Sequence, residues 1–136
     1  MFNFDFYNPT HIIFGKERFG DIAKHIPENA KVLITYGGGS AKKFGVIDRV
    51  VNSLGNRKIV EFGGIEPNPR YETLMKAVEI VRAEEIDFIL AVGGGSVIDG
   101  SKFITLAADY KGDCSEILKQ GNGFVPVKKA VPLGVV

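Results

Sequence analysis

Asp87-Phe88-Ile89-Leu90-Ala91-Val92-Gly93-Gly94-Gly95-Ser96 joins an unbroken apolar run to three successive glycines and a serine. A short run without alternation is what a strand buried on both faces of a parallel sheet requires. Helical spacing follows from Val97 to about Ala108, so the segment reads as strand, glycine loop and helix. The same succession occurs earlier in the chain. Lys31-Val32-Leu33-Ile34-Thr35-Tyr36 meets Gly37-Gly38-Gly39-Ser40, and Val46, Ile47, Val50, Val51 and Leu54 then share one helical face, with Gly55 as a C-cap.

The flanking segments extend this alternation. Lys58 to Phe62 is a strand ended by Gly63-Gly64, Glu66-Pro67-Asn68-Pro69 is a loop fixed by two prolines, and Tyr71 to Ala83 is an amphipathic helix. Residues 110–127 read as loop with one helical turn around Ser115–Leu118, and Lys129 to Val136 as a last apolar strand. Towards the N-terminus, Phe2 to Phe6 alternates with the period of a half-buried strand, and His11 to Phe14 reads as a second one. A helix from Arg18 to Ile26 is stopped by Pro27. The order predicts an α/β fold. It is Rossmann-like, a mainly parallel sheet with helices on both faces, preceded by a short N-terminal strand pair. No linker interrupts residues 1–136, which form one expected domain.

The 136 residues are 45% hydrophobic and 24% charged, with 17 Lys and Arg against 16 Asp and Glu. A domain of this length can build a core without disulfide or metal staples. Its balanced charge removes the electrostatic case for nucleic acid or an anionic membrane surface. A single cysteine, Cys114, excludes an internal disulfide framework and favours a cytoplasmic location, as does an N-terminus without the pattern of a secretory signal. The apolar stretch around Phe88–Ile98 is too short and glycine-rich to span a bilayer. Residues 130–136 end in apolar sequence, which leads us to expect a piece of a longer protein or one half of an obligate assembly.

Six of the 17 glycines lie in the two Gly-Gly-Gly-Ser loops. A strand, a glycine loop and a helix N-terminus together bind phosphate, because glycine permits close approach and the free N–H groups of the first turn point at the anion. The alternative is a pair of tight turns. Neither loop has the G-x-G-x-x-G spacing of a dinucleotide fingerprint, although Glu61 stands about where a ribose-binding acid is expected. Nor is there a Walker lysine. Ser96-Val97-Ile98-Asp99 has two readings: a capping box worth about 1 kcal/mol, or a phosphate-binding serine with an acid directed elsewhere. Asp99 and Lys102 have the spacing of a surface ion pair.

Gly93-Gly94-Gly95-Ser96-Val97-Ile98-Asp99-Gly100-Ser101-Lys102 resembles the G-G-G-S-x-x-D-x-x-K signature of the iron-containing (group III) alcohol dehydrogenase family. Phe14-Gly15, the first glycine loop, and Phe62-Gly63-Gly64-Ile65-Glu66-Pro67-Asn68-Pro69 are similar to its NADPH-dependent aldehyde reductase and butanol dehydrogenase branch. The resemblance covers the whole chain. It implies an oxidoreductase that moves hydride between NADP(H) and a small alcohol or aldehyde, with residues 1–136 as its N-terminal nucleotide-binding domain. Gly94, Gly95 and Ser96 would hold the cofactor pyrophosphate, Asp99 would lie towards the nicotinamide, and Asn68 would flank the adenosine. Gly38, Gly39 and Ser40 would receive the ribose 2′-phosphate. Lys42 and Lys43 add positive charge there, which favours NADP over NAD.

The resemblance further implies a divalent metal, iron or zinc, held by a helical C-terminal domain that these residues do not include. The two histidines, His11 and His25, share no ligand spacing, and Cys114 has no histidine near it in sequence. No catalytic or metal-ligating residue is therefore assigned within the chain, which alone is expected to be inactive. A homodimer is expected from Phe2, Phe4 and Phe6 on one strand face. The alternatives are a fragment of an NAD-linked glycerol dehydrogenase or dehydroquinate synthase relative, or a non-catalytic nucleotide-binding module.

Overall fold

The structure is a computed structural model that describes residues 3–119 and 127–136. Its centre is a four-stranded parallel sheet of β1 (Lys31–Tyr36), β2 (Lys58–Phe62), β3 (Phe88–Val92) and β4 (Leu133–Val135), in the order β2-β1-β3-β4. Around it lie α1 (Ser40–Lys43), α2 (Val46–Leu54), α3 (Tyr71–Glu84), α4 (Gly95–Asp109), and two 3-10 helices, Phe19–His25 and Cys114–Leu118. This is a Rossmann-like α/β arrangement. Among the described residues no helix is long and apolar enough to cross a membrane.

The sheet is buried on both faces because its two inner strands are apolar at every central position but Thr35. Val32 and Ile34 of β1, with Leu90 and Val92 of β3, pack with α2 (Ile47, Val50, Leu54) and the first 3-10 helix. Leu33, Ile89 and Ala91 point the other way, into α3 (Leu74, Ala77, Val78, Val81) and α4 (Phe103, Ile104, Ala107). The chain runs from β1 outward to β2, then crosses back over β1 to β3. Crossovers of one hand that reverse direction must change faces, and α2 and α3 lie on opposite faces accordingly.

Two arginines add donors at helix ends, where the backbone ladder runs out of N–H groups. Arg57 donates to the carbonyls of Ala23, Ile26, Pro27 and Leu54. Arg82, on α3, donates to those of Ala107, Ala108 and Tyr110 at the end of α4. At the edge where the strands begin, Asp87 accepts from the Lys31 N–H at 2.9 Å and returns its own N–H to the Lys31 carbonyl at 2.9 Å.

Three expectations need correction. The N-terminal strand pair is absent from the described residues: positions 3–14 form no strand, and Phe4, Phe6, Tyr7, Ile12 and Phe14 are exposed. Alternation specifies which face of a strand would be buried, but supplies neither the second strand nor a surface to bury it on. Phe2, and the 120–126 part of the expected loop, lie outside the described residues. The last strand is Leu133–Val135 rather than 129–136. Pro132 can lend its carbonyl to the Ile89 N–H, at 2.9 Å, yet has no N–H to continue a ladder. Finally, α4 begins at Gly95, two residues before the expected Val97.

Candidate functional site

In this strand order β1 and β3 are neighbours, with Tyr36 registered opposite Val92. Their glycine loops therefore leave the sheet abreast, at the same edge. The connection after β1 goes to α1 and α2 on one face, and the connection after β3 goes to α4 on the other. That divergence opens a crevice between the loops, the switch point where open α/β sheets bind ligands. The sequence placed both loops at one edge; only the strand order makes them adjacent.

The second loop is built for close approach. Gly93 has φ +153°, and a methyl there would meet Val97 Cγ2 at 2.8 Å. Its N–H donates to the Val136 carbonyl at 3.1 Å, which ties the loop's first peptide to the end of β4. At Gly94 and Gly95 a methyl would meet nothing within 4 Å. Gly94 is the N-cap of the 15-residue α4. Its carbonyl accepts from Val97 and Ile98, while the N–H groups of Gly94, Gly95 and Ser96 have no acceptor among the described residues. Open space with free amide donors is what a phosphate group needs, and these residues fit one.

The capping-box reading of Ser96 and Asp99 fails. With Gly94 as cap, Ser96 sits two residues too far into the helix, and no side-chain hydrogen bond caps its N-terminus. Ser96 is half-buried at the crevice. Asp99 is exposed one turn on, with Lys102 Nζ 3.8 Å from its Oδ1. The inner side of the same turn is tightly packed. Gly100 leaves no room for a side chain, since a methyl would lie 2.9 Å from Leu74 Cδ2 and 3.3 Å from Ile65 Cγ2. Ser101 Oγ and Thr35 Oγ1 are buried 2.7 Å apart, linking α4 to the end of β1 directly below the loops. Sequence reading missed this pair. Its only signal was a polar residue in an otherwise apolar strand.

The first loop has a different wall. Gly39 has φ +108° and a methyl at Gly38 would meet nothing within 4 Å. The N–H groups of Gly38, Gly39 and Ser40 have no acceptor among the described residues. Beside them Tyr36, Lys42 and Glu61 converge: the Tyr36 hydroxyl donates to Glu61 Oε2 at 3.1 Å, and Lys42 Nζ donates to the same oxygen at 3.3 Å. The hydrogen bond to Glu61, then its charge, raises the Lys42 pKa. Lys43 is exposed nearby. The lysines and the acid, which the sequence offered as separate features, thus form one group.

Asn68 is exposed, with φ +54°, between its two prolines. Its loop is anchored on both sides. The N–H groups of Gly64 and Ile65 donate to the carbonyls of Gly37 and Tyr36, and Thr73 Oγ1 donates to Glu66 Oε1 at 2.7 Å. The Thr73 hydrogen bond holds the Glu66 carboxyl below its usual pKa. All eight expected binding positions therefore lie on the two glycine loops, the first turns of the helices that follow them, and the loop joined to the first.

His11 and His25 stack edge to face, with ring centroids 4.9 Å apart, away from the crevice. Sequence spacing gave no sign of this meeting, and His11 is not in a strand. They line a separate cavity with Ile13, Phe19 and Leu90, into which none of the glycine-loop residues reaches. Among the described residues no group of three or more His, Cys, Asp or Glu could hold a metal ion. Cys114 is buried and free, its thiol 3.7 Å from the Ala107 carbonyl.

The family model for iron-containing alcohol dehydrogenases matches residues 9–136. The NADPH-dependent aldehyde reductase YqhD of Escherichia coli is 51% identical over 136 residues, covering all of this chain and 35% of that protein. The NADP-dependent alcohol dehydrogenase 3 of Entamoeba histolytica is 45% identical, over all of this chain and 36% of its own length. A probable NADH-dependent butanol dehydrogenase 2 of Bacillus subtilis is 43% identical, over all of this chain and 35% of its own. The substrate- and cofactor-free structure of E. coli YqhD superposes with a TM-score of 0.92 at 52% identity, over 98% of this chain and 35% of that one. The chain thus spans about a third of the length of these relatives. The chain belongs to the iron-containing alcohol dehydrogenase family.

Proposed function

We propose that this chain is the dinucleotide-binding part of an NADP(H)-linked, metal-dependent alcohol dehydrogenase or aldehyde reductase. The observation that carries this reading is the pair of glycine loops abreast at the β1/β3 switch point, each with open space and free N–H donors. Gly94, Gly95 and Ser96 bind the pyrophosphate at the N-terminus of α4, where the helix dipole adds about 0.3–1 kcal/mol per charge. Gly38, Gly39 and Ser40 receive the ribose 2′-phosphate, assisted by Lys42 and Lys43. Asn68 flanks the adenosine, and Asp99 lies towards the nicotinamide.

The nicotinamide, when bound, supplies the hydride donor or acceptor; the chain contributes binding and orientation. Its described residues do not fit the divalent metal, iron or zinc, so no catalytic step is assigned to them. Residues 1–136 act as the N-terminal domain, and the metal ligands belong to the rest of the enzyme. The single buried Cys114 is consistent with a cytoplasmic enzyme. The exposed Phe4, Phe6 and Tyr7 provide an apolar strip for a homodimer contact.

Glu61 favours a second reading, NAD, because an acid at the end of β2 is suited to a free ribose 2′-hydroxyl. Relatives named as NADH-dependent stand at 37–43% identity beside those named for NADPH. Calorimetric titration of the chain with NADPH and NADH tests both. Tighter binding of NADPH supports the first reading, tighter binding of NADH the second, and binding of neither refutes the dinucleotide site. NADPH consumption by the chain alone, given butanal and a divalent metal, would refute its assignment as binding part only.

A further inference from the structure

We infer that Lys42 and Glu61 are the pair that sets the choice between the two dinucleotides, and that Tyr36 is the positioning residue that makes the choice adjustable. This rests on the dinucleotide reading above and extends it to residues that neither glycine loop contains.

The first loop, residues 37–39, is bracketed by Tyr36 at the end of β1 and Lys42 in α1, and both brackets reach the same atom, Glu61 Oε2. The two donors are not equivalent. Tyr36 is half-buried, and its ring lies over Gly63 so closely that a methyl there would overlap it. The ring is therefore held, and its hydroxyl is a fixed donor. Lys42 is held by little else: its side chain is 59% exposed, and its ammonium stands 5.8 Å from the Tyr36 ring centroid. An exposed lysine on a flexible stem turns at small cost.

Two states of the same residues follow. A 2′-phosphate at Gly38–Ser40 draws Lys42 towards itself, and Glu61 remains hydrogen-bonded to Tyr36 rather than being left unpaired. A 2′-hydroxyl draws nothing. Lys42 then stays on Glu61, whose second oxygen can accept from the ribose. Glu61 thus opposes the 2′-phosphate in two ways, by direct repulsion and by competing for Lys42, while Tyr36 limits the loss when the lysine leaves. Without Glu61 both penalties disappear.

The test separates this inference from the reading beneath it by using fragments of the cofactors. The chain is titrated calorimetrically with 2′,5′-ADP, which carries the 2′-phosphate, and with 5′-ADP, which does not. Glu61→Gln is expected to raise the affinity ratio of 2′,5′-ADP to 5′-ADP by about three- to fivefold, the upper part of the range of an exposed charge interaction. Lys42→Met is expected to lower it by a similar factor. Competition adds a signature that an isolated surface charge lacks: Lys42→Met costs more 2′,5′-ADP affinity in the Glu61→Gln background than in the parent. Equal costs in the two backgrounds, or a ratio that Glu61→Gln leaves within twofold, overturn the inference while the dinucleotide site stands. If the parent binds neither compound, both fall. Circular dichroism melts of the variants, all at exposed positions, confirm that each folded chain is being titrated.

Discussion

Gly95→Asp separates stability from binding at the second loop, because the structure assigns the two effects opposite signs. Gly95 is the first residue of α4, and nothing lies within 4 Å of the position a Cβ would take. The first turn of this helix carries no acid. An aspartate there meets no steric resistance and completes the helix dipole, adding about 0.3–1 kcal/mol of stability. For a domain of this size that is a rise of about 1–4 °C in Tm. The same carboxylate enters the space proposed for the pyrophosphate. Two charges 4 Å apart repel by about 1 kcal/mol in water and about 4 kcal/mol at the effective dielectric of a protein surface. NADPH affinity should accordingly fall by at least about fivefold and up to about a thousandfold. Thermal unfolding and NADPH calorimetry on the same preparation measure both effects, and Gly95→Asn controls for bulk without charge. An aspartate variant that binds NADPH as tightly as the parent would place the phosphate elsewhere. A loss of more than about 1 kcal/mol in stability would refute the open geometry of the loop.

Ser101→Ala removes the buried partner of Thr35 Oγ1, 2.7 Å away, and should cost about 1–3 kcal/mol, read as a lower guanidinium midpoint with an unchanged m-value. Arg57→Ala removes a donor from four carbonyls around the first 3-10 helix and α2, of which those of Pro27 and Leu54 keep a backbone N–H, with an expected loss of about 2 kcal/mol. Arg57→Lys should recover less than half of that, because an ammonium lacks the planar fork. Asp21 accepts from Lys24, 2.6 Å away, and from Arg18, and these partners lower its pKa to about 2. A folded-state pKa below the unfolded one stabilises the fold above the unfolded value, and that contribution disappears as pH falls through the folded value. Asp21→Asn should therefore flatten the stability profile between about pH 4 and pH 2. An unchanged slope in urea titrations across that window would show the pair to be inert.

The elements legible in the sequence are those whose signal is local. The β1 and β2 strands and α2 have the boundaries that apolar runs and flanking glycines indicate, because each of those signals acts within a few residues. Gly55 ends α2 at φ +61°, as a C-cap glycine should. The loops that carry the eight expected binding positions were readable because glycine runs and a Pro-Asn-Pro segment mark backbone geometry directly. What escaped depends on pairing across the sheet. No local pattern says that β3 rather than β2 lies beside β1 on the crevice side, or that Glu61 lies within reach of Lys42. The cap at Gly94 displaced the Ser96 box because a backbone carbonyl can start a helix without any side chain. The N-terminal alternation misled because periodicity describes a face and not its partner.

The bond between the Gly93 N–H and the Val136 carbonyl bears on the order in which competence is acquired. A nascent chain emerges from its N-terminus, so β1, β2, β3 and the first glycine loop can all meet their partners before β4 exists. The second loop cannot, because the peptide that opens it is tied to a residue made about 40 positions later, or about 2–8 s at common synthesis rates. Throughout that interval the chain can carry a finished first glycine loop beside an untethered second one. Completion of the crevice between the loops is thus timed by the shortest strand of the sheet.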